Sequence, residues 1–169
     1  VDGTFGQAGK LLIDFGGSDS ARSVAVLPDG KILVGGWSFA NGYTFALVRL
    51  DATGTPDPTF GQGGKAVVDF GGVDLGEALT LQADGKIVMV GYSQVNNNTN
   101  FAIARLDGGG VLDPTFGQAG KATIDFGGAS EEGRGIALQA DGKIVVAGTS
   151  RGNAVVARLD ANGSLDDSF

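Results

Sequence analysis

The 169-residue sequence has no cysteine and no histidine. The first absence excludes disulfides and thiolate metal sites. The second removes the commonest general base and the commonest zinc ligand. No apolar run approaches the ~18 residues of a membrane span, so no membrane insertion is expected. Charge is sparse: charged residues make up 18% of the chain, against a usual ~25%. What charge there is leans acidic, with 19 carboxylates against 12 basic side chains and a net charge of −7. That field repels a duplex, no basic patch offsets it, and no nucleic-acid partner is expected. Nor does any stretch carry the i, i+3, i+4 spacing of an amphipathic helix. Glycine, by contrast, fills 31 positions, more than twice the typical ~7%, while 42% hydrophobic residues support a packed core.

A period of about 55 residues runs the length of the chain. Phe5, Phe60, Phe116 and Phe169 each close a D-x-[ST]-F phrase. Three apolar runs follow, KLLIDFGG (10–17), KAVVDFGG (65–72) and KATIDFGG (121–128). Next come LPDGKILVGGWS (27–38), LQADGKIVMVGYS (81–93) and LQADGKIVVAGTS (138–150), then FALVRLD (45–51), FAIARLD (101–107) and AVVARLD (154–160). A period of this size with several short strands per unit means a propeller or a related array. Four strands fit each unit, represented by residues 22–27, 31–36, 45–50 and 65–70. A D-G-K turn joins the first two, where glycine supplies the positive φ of a tight hairpin. Consecutive apolar residues such as Ile87, Val88, Met89 and Val90 read as strands buried on both faces, which a blade between two neighbours would provide.

The phrase D-x-[ST]-F-G-x-x-G-K, followed by D-G-K-I-[LV]-V-x-G and F-A-x-x-R-L-D, resembles the delta-60 repeat family of bacterial β-propeller repeats. The order of strands and turns is also similar to the NHL-type propeller blade, in which the strand before the D-G turn is innermost. The resemblance implies an all-β propeller fold and a secreted or cell-surface setting. It implies no reaction, so function must come from the site.

With strands assigned by that resemblance, the chain is one array over 1–169. Its units cover about 10–64, 65–120 and 121–169, giving three four-stranded units per chain. Strand 10–15 is an outermost strand without inner partners, and 134–160 supplies three inner strands without an outermost one. Three blades are too few to close, since propellers have four to eight. The expected partner is therefore a second copy: a homodimer forming a six-bladed ring, each strand 10–15 completing the other chain's last blade. The competing reading is three blades of a longer array, which the duplicated VDGTF (1–5) and LDDSF (165–169) keep open.

Residues repeated in every unit read first as structure. Arg49, Arg105 and Arg158 on the third strand, with Asp14, Asp69 and Asp125 on the fourth, are expected to form arginine–aspartate ladders. The D-x-x-G-x-x-D segments from Asp51, Asp107 and Asp160 fit either Asx turns or calcium loops; turn chemistry is the expectation, and no metal site is assigned. The unit varies most in the loops at 37–44, 92–100 and 149–153, which share one ring face, and such loops commonly carry binding residues. There Trp37, Tyr43, Tyr92, Asn97 and Arg151 are the candidate ligand-binding residues for a glycan or peptide, rings stacking and amides bonding hydroxyls; packing at a blade edge is the alternative. Arg22, Glu77 and Arg134 align near the start of the innermost strand. They are expected to ring the channel mouth, either pairing with one another or forming an anion-binding mouth. No nucleophile–base spacing occurs, so no catalytic residue and no cofactor are assigned. The expected function is a non-catalytic binding or interaction scaffold. The alternatives are a purely structural array element and a metal-dependent lactonase-like hydrolase.

Overall fold

The computed structural model describes residues 3–169, so Val1 and the Asp2 that opens the first D-x-[ST]-F phrase lie outside the described residues. Those residues form eleven strands and no helix. The first sheet is β1 (Ser18–Val26), β2 (Ile32–Phe39), β3 (Tyr43–Leu50) and β4 (Lys65–Val68). The second is β5 (Val73–Leu81), β6 (Ile87–Val95), β7 (Asn98–Leu106) and β8 (Lys121–Ile124). The third is β9 (Glu131–Leu138), β10 (Ile144–Ser150) and β11 (Asn153–Leu159). Each sheet runs in sequence order with antiparallel neighbours, the order expected of propeller blades.

Two expectations need correction. The count of three four-stranded units is corrected, since the third sheet holds only the three strands expected of 134–160, and the remaining copy of the K-x-x-[IV]-D-F-G-G phrase lies at residues 10–17. Those residues do not form a strand: 11–14 carry no ladder bonds, and Leu12 is 90% exposed. An extended segment needs a sheet edge to pair with, and blade one already has β4 on its outer edge. The blades are also offset from the sequence period. Each β4-type strand closes the blade that precedes it, so the first blade spans 18–68 and the second 73–124.

The blades stack consecutively, β1, β2 and β3 against β5, then β5, β6 and β7 against β9. The first core joins Leu33, Phe45 and Leu47 to Leu79, Ile87 and Met89. The second joins Val88, Val90, Phe101 and Ile103 to Ile144, Val146 and Leu159. Gly35 is required here: a Cβ would lie 2.6 Å from Leu79 Cδ2 and 3.2 Å from Met89 Cε. The D-G hairpins form as anticipated. Gly30 has φ +83°, Leu27 N–H donates to Lys31 O at 2.8 Å, and Asp29 Oδ1 accepts from Lys31 N–H at 3.1 Å.

The segment before β1 nevertheless has a place. Lys65 Nζ donates to the Asp14 carbonyl and lies 5.0 Å from the Phe15 ring centroid. One blade later, Lys121 Nζ donates to Asp69 O at 2.6 Å and lies 5.6 Å from the Phe70 ring. Residues 14 and 15 thus repeat the contact that a blade makes with its predecessor.

Candidate functional site

The repeated arginines build the joint between blades. Arg49 Nε donates to Asp57 Oδ2 at 2.9 Å, and Nη2 to Thr59 Oγ1 at 2.9 Å. Nη1 crosses to the Gly108 carbonyl of the second blade, and the guanidinium lies 4.9 Å from the Phe60 ring centroid. Arg105 repeats each contact with Asp113, Thr115, the Ala161 carbonyl and Phe116. Phe60 in turn packs on the next blade's D-x-x-G turn, where a Cβ on Gly110 would meet its ring at 2.8 Å, and Gly61 N–H donates to Gly109 O at 2.7 Å.

The expected ladders to Asp14, Asp69 and Asp125 are therefore corrected. The β3–β4 ladder spans only Phe45–Val48 with Lys65–Val68, so Arg49 lies beyond its end, and the chain folds Asp57 back to it through Asp57 N–H to Arg49 O. Asp14, Asp69 and Asp125 instead accept from Gly16, Gly71 and Gly127 N–H, each at 2.6 Å. Two of the three leading aspartates of the D-x-x-G-x-x-D segments, Asp51 and Asp107, make Asx turns, whereas Asp160 Oδ1 accepts from Lys143 Nζ at 3.0 Å. Asp51 Oδ1 accepts from Thr53 and Thr55 N–H at 2.8 and 2.9 Å, and Asp107 Oδ1 from Gly109 and Val111 N–H. The second aspartates are held below the ordinary carboxylate range. Lys31 leads that effect at Asp57 and Lys143 at Asp166, while the Thr115 hydroxyl leads at Asp113, bringing it to about 2.

The first strand of each sheet carries a feature with no signature in the sequence. Each contains a β-bulge, between Ala21 and Ser23 in β1 and between Gly76 and Ala78 in β5; in β9 the register skips between Gly133 and Gly135. The bulged residues are Arg22, Glu77 and Arg134. A bulge leaves one residue out of the ladder and re-aims its side chain, which brings all three together. Arg22 Nε and Arg134 Nη1 each lie 3.8 Å from a Glu77 oxygen, and Arg134 also bonds Glu132. Mutual pairing is thus the arrangement observed. Tyr92 on β6 joins the group: burial raises its hydroxyl above the ordinary value, Glu132 and Glu77 add to the rise, and Arg134 and Arg22 oppose it.

The candidate ligand residues divide. Trp37 and Tyr43 come together, ring centroids 5.5 Å apart and edge to face. Phe39, which sequence reasoning missed, completes the group 4.6 Å from Tyr43 and is 46% exposed. Register explains the cluster: Phe39 pairs with Tyr43 and Trp37 with Phe45, so all four share one sheet face. Asn97 and Arg151 both sit in hairpin turns with positive φ, +62° and +50°, a conformation that asparagine tolerates and arginine does not favour. Behind these loops lies a row of carboxylates. Asp19, Asp74 and Glu131 accept from the Phe15, Phe70 and Phe126 N–H groups at 2.9, 2.6 and 2.8 Å. Burial raises Asp74 above the ordinary carboxylate value, with Ser93 and the Phe70 N–H opposing.

Three consecutive antiparallel sheets, each in sequence order, agree with the family comparison. A family model described as "Domain of unknown function (DUF5122) beta-propeller" matches residues 27–60, 82–116 and 139–169, together more than half of the chain. No curated protein matches it. The chain belongs to this family of β-propeller repeats.

Proposed function

We propose that the protein is a non-catalytic binding or interaction scaffold, presenting a glycan- or peptide-binding surface on the loop edge of a six-bladed ring made by two copies. The repeats are of the delta-60 type with NHL-like strand order, and the setting is secreted or cell-surface. The observation that carries this reading is the Trp37–Phe39–Tyr43 cluster at the β2–β3 loop. Aromatic side chains with one apolar face and one polar end suit stacking on a sugar or peptide. The left-handed turn position of Asn97 favours a structural role for that residue, so the binding surface centres on blade one, with Tyr92 in the charged group of the second and third blades.

Trp37 is the sole tryptophan, so its fluorescence reports on the site directly. A hit from a glycan or peptide array is expected to shift Trp37 emission on titration and to lose affinity in Tyr43→Ala. A ligand that binds without moving Trp37 emission and survives Tyr43→Ala overturns the assignment.

A further inference from the structure

In each internal joint one phenylalanine ring has two neighbours. Phe60 lies under Arg49 of its own blade and against the Asp107–Gly110 turn of the next. Phe116 lies under Arg105 and against the Asp160–Gly163 turn. At the two ends of the chain the same joint is split into halves. Phe5 packs on the first blade's Asp51–Gly54 turn, a Gly54 Cβ lying 3.2 Å from its ring, and Gly6 N–H donates to Thr53 O at 2.8 Å. Among the described residues, no arginine covers it. Phe169 has the opposite half: Arg158 lies 4.7 Å from its ring centroid, yet the ring is 65% exposed. Arg158 Nε and Nη2 reach Asp166 and Ser168, but its Nη1 meets no cross-blade carbonyl among the described residues.

We infer that the first blade's Asp51–Gly54 turn is a docking site for Phe169 of a second copy, with Phe5 acting as a displaceable occupant of the same seat. The inference rests on the ring proposed above and deepens it. Position fixes the contact. Arg49 and Arg105 each reach the carbonyl of the residue after the turn's first aspartate, Gly108 and Ala161. The corresponding acceptor for Arg158 is the Ala52 carbonyl of the second copy. The sheet faces that would meet are also uncovered at corresponding positions. Val24 is 66% exposed, whereas its counterpart Leu79 in the second blade is 8% exposed, and Val26 is 69% exposed where its counterpart Leu81 is half-buried. Val156 is 49% exposed, against 0% for its counterparts Leu47 and Ile103.

One seat cannot hold two rings. Phe169 has the stronger claim, because its phrase is fixed within its own blade: Asp166 Oδ2 accepts from Arg158 Nε at 2.6 Å and from Lys143 Nζ at 2.7 Å. Phe5 is the one to leave.

Light scattering and sedimentation of the full chain test this. The wild type is expected at twice the 17.0 kDa of one chain; a stable 17.0 kDa species at micromolar concentration overturns the ring and this inference together. Given a dimer, Phe169→Ala and Arg158→Ala are each expected to raise its Kd roughly tenfold or more, whereas Phe5→Ala leaves Kd unchanged or lowers it. Phe169 is already exposed in one copy, so thermal melting at low concentration is expected to show the Phe169→Ala fold intact. A dimer weakened by Phe5→Ala and indifferent to Phe169→Ala overturns the seat assignment while leaving the ring standing.

Discussion

The middle blade and the two outer blades are written in the same phrases but differ in what covers them. In β6 the run Ile87–Val90 is buried throughout, since blade one takes Met89 and blade three takes Val88 and Val90. The corresponding β2 and β10 bury one face: Leu33 and Val146 are fully covered, while Val34 is half-buried and Ala147 exposed. A cleft of about 240 Å3 lies on the outer face of blade one, lined by Val34, Val48, Leu11, Leu12 and Phe15. Amino-acid type is nearly constant among the three strands, so burial here is set by neighbours and not by local pattern. That is the physical content of a repeat array, where each unit owes much of its stability to the next.

The sharpest way to break the comparison is to charge the outer faces. In the proposed ring, Val24→Asp and Val156→Asp are each expected to abolish dimerisation, since every joint would then hold one buried, unpaired carboxylate. An equimolar mixture of the two variants leaves one joint between unaltered faces and is expected to recover a mass of two chains in light scattering. Failure of the mixture to recover would mean that the contact is not head to tail. Next in size is the middle blade itself. Met89→Ala is expected to cost about 2–5 kcal/mol in thermal or denaturant unfolding, while Val24→Ala in a dissociated chain stays within about 0.5 kcal/mol. A Val24→Ala cost approaching that of Met89→Ala would show the outer face to be covered in solution.

The smallest effect concerns a feature on which the blades should not differ. Asp57, Asp113 and Asp166 all have carboxyls held below the ordinary value, Asp113 at about 2. Their contribution is present above the unfolded value of 3.8 and is lost as pH falls toward 2. Asp113→Asn is expected to be less stable at neutral pH and to lose stability less steeply across that window in pH-jump unfolding. Asp74 has the opposite sign. Its carboxyl is raised by burial, so its contribution is greatest below the unfolded value and is lost as pH rises through the folded one.

Much of this is legible in the sequence. Repetition gave the strand order, and the D-G phrases gave the hairpins, because a left-handed glycine is a local requirement that leaves a local mark. The unmatched strand phrases at 10–15 and 134–160 located the open ends. Three things were hidden. The arginines took Asp57, Asp113 and Asp166 because a ladder that stops at Val48 is a matter of register, which composition does not record. The bulges at Arg22, Glu77 and Arg134 sit in A-R-S, G-E-A and G-R-G, three contexts with no common residue. Phe39 escaped notice because it occurs in only one unit, yet it faces Tyr43 by simple pairing.

The bulges carry one more consequence. A side chain that stands outside the ladder can be exchanged without touching an interstrand hydrogen bond. In the proposed ring these positions would be interchangeable studs, one per blade and all at one register position. Glutamates at 22, 77 and 134 would make an acidic eye for cations, and arginines there a basic one for anions, on an unaltered frame.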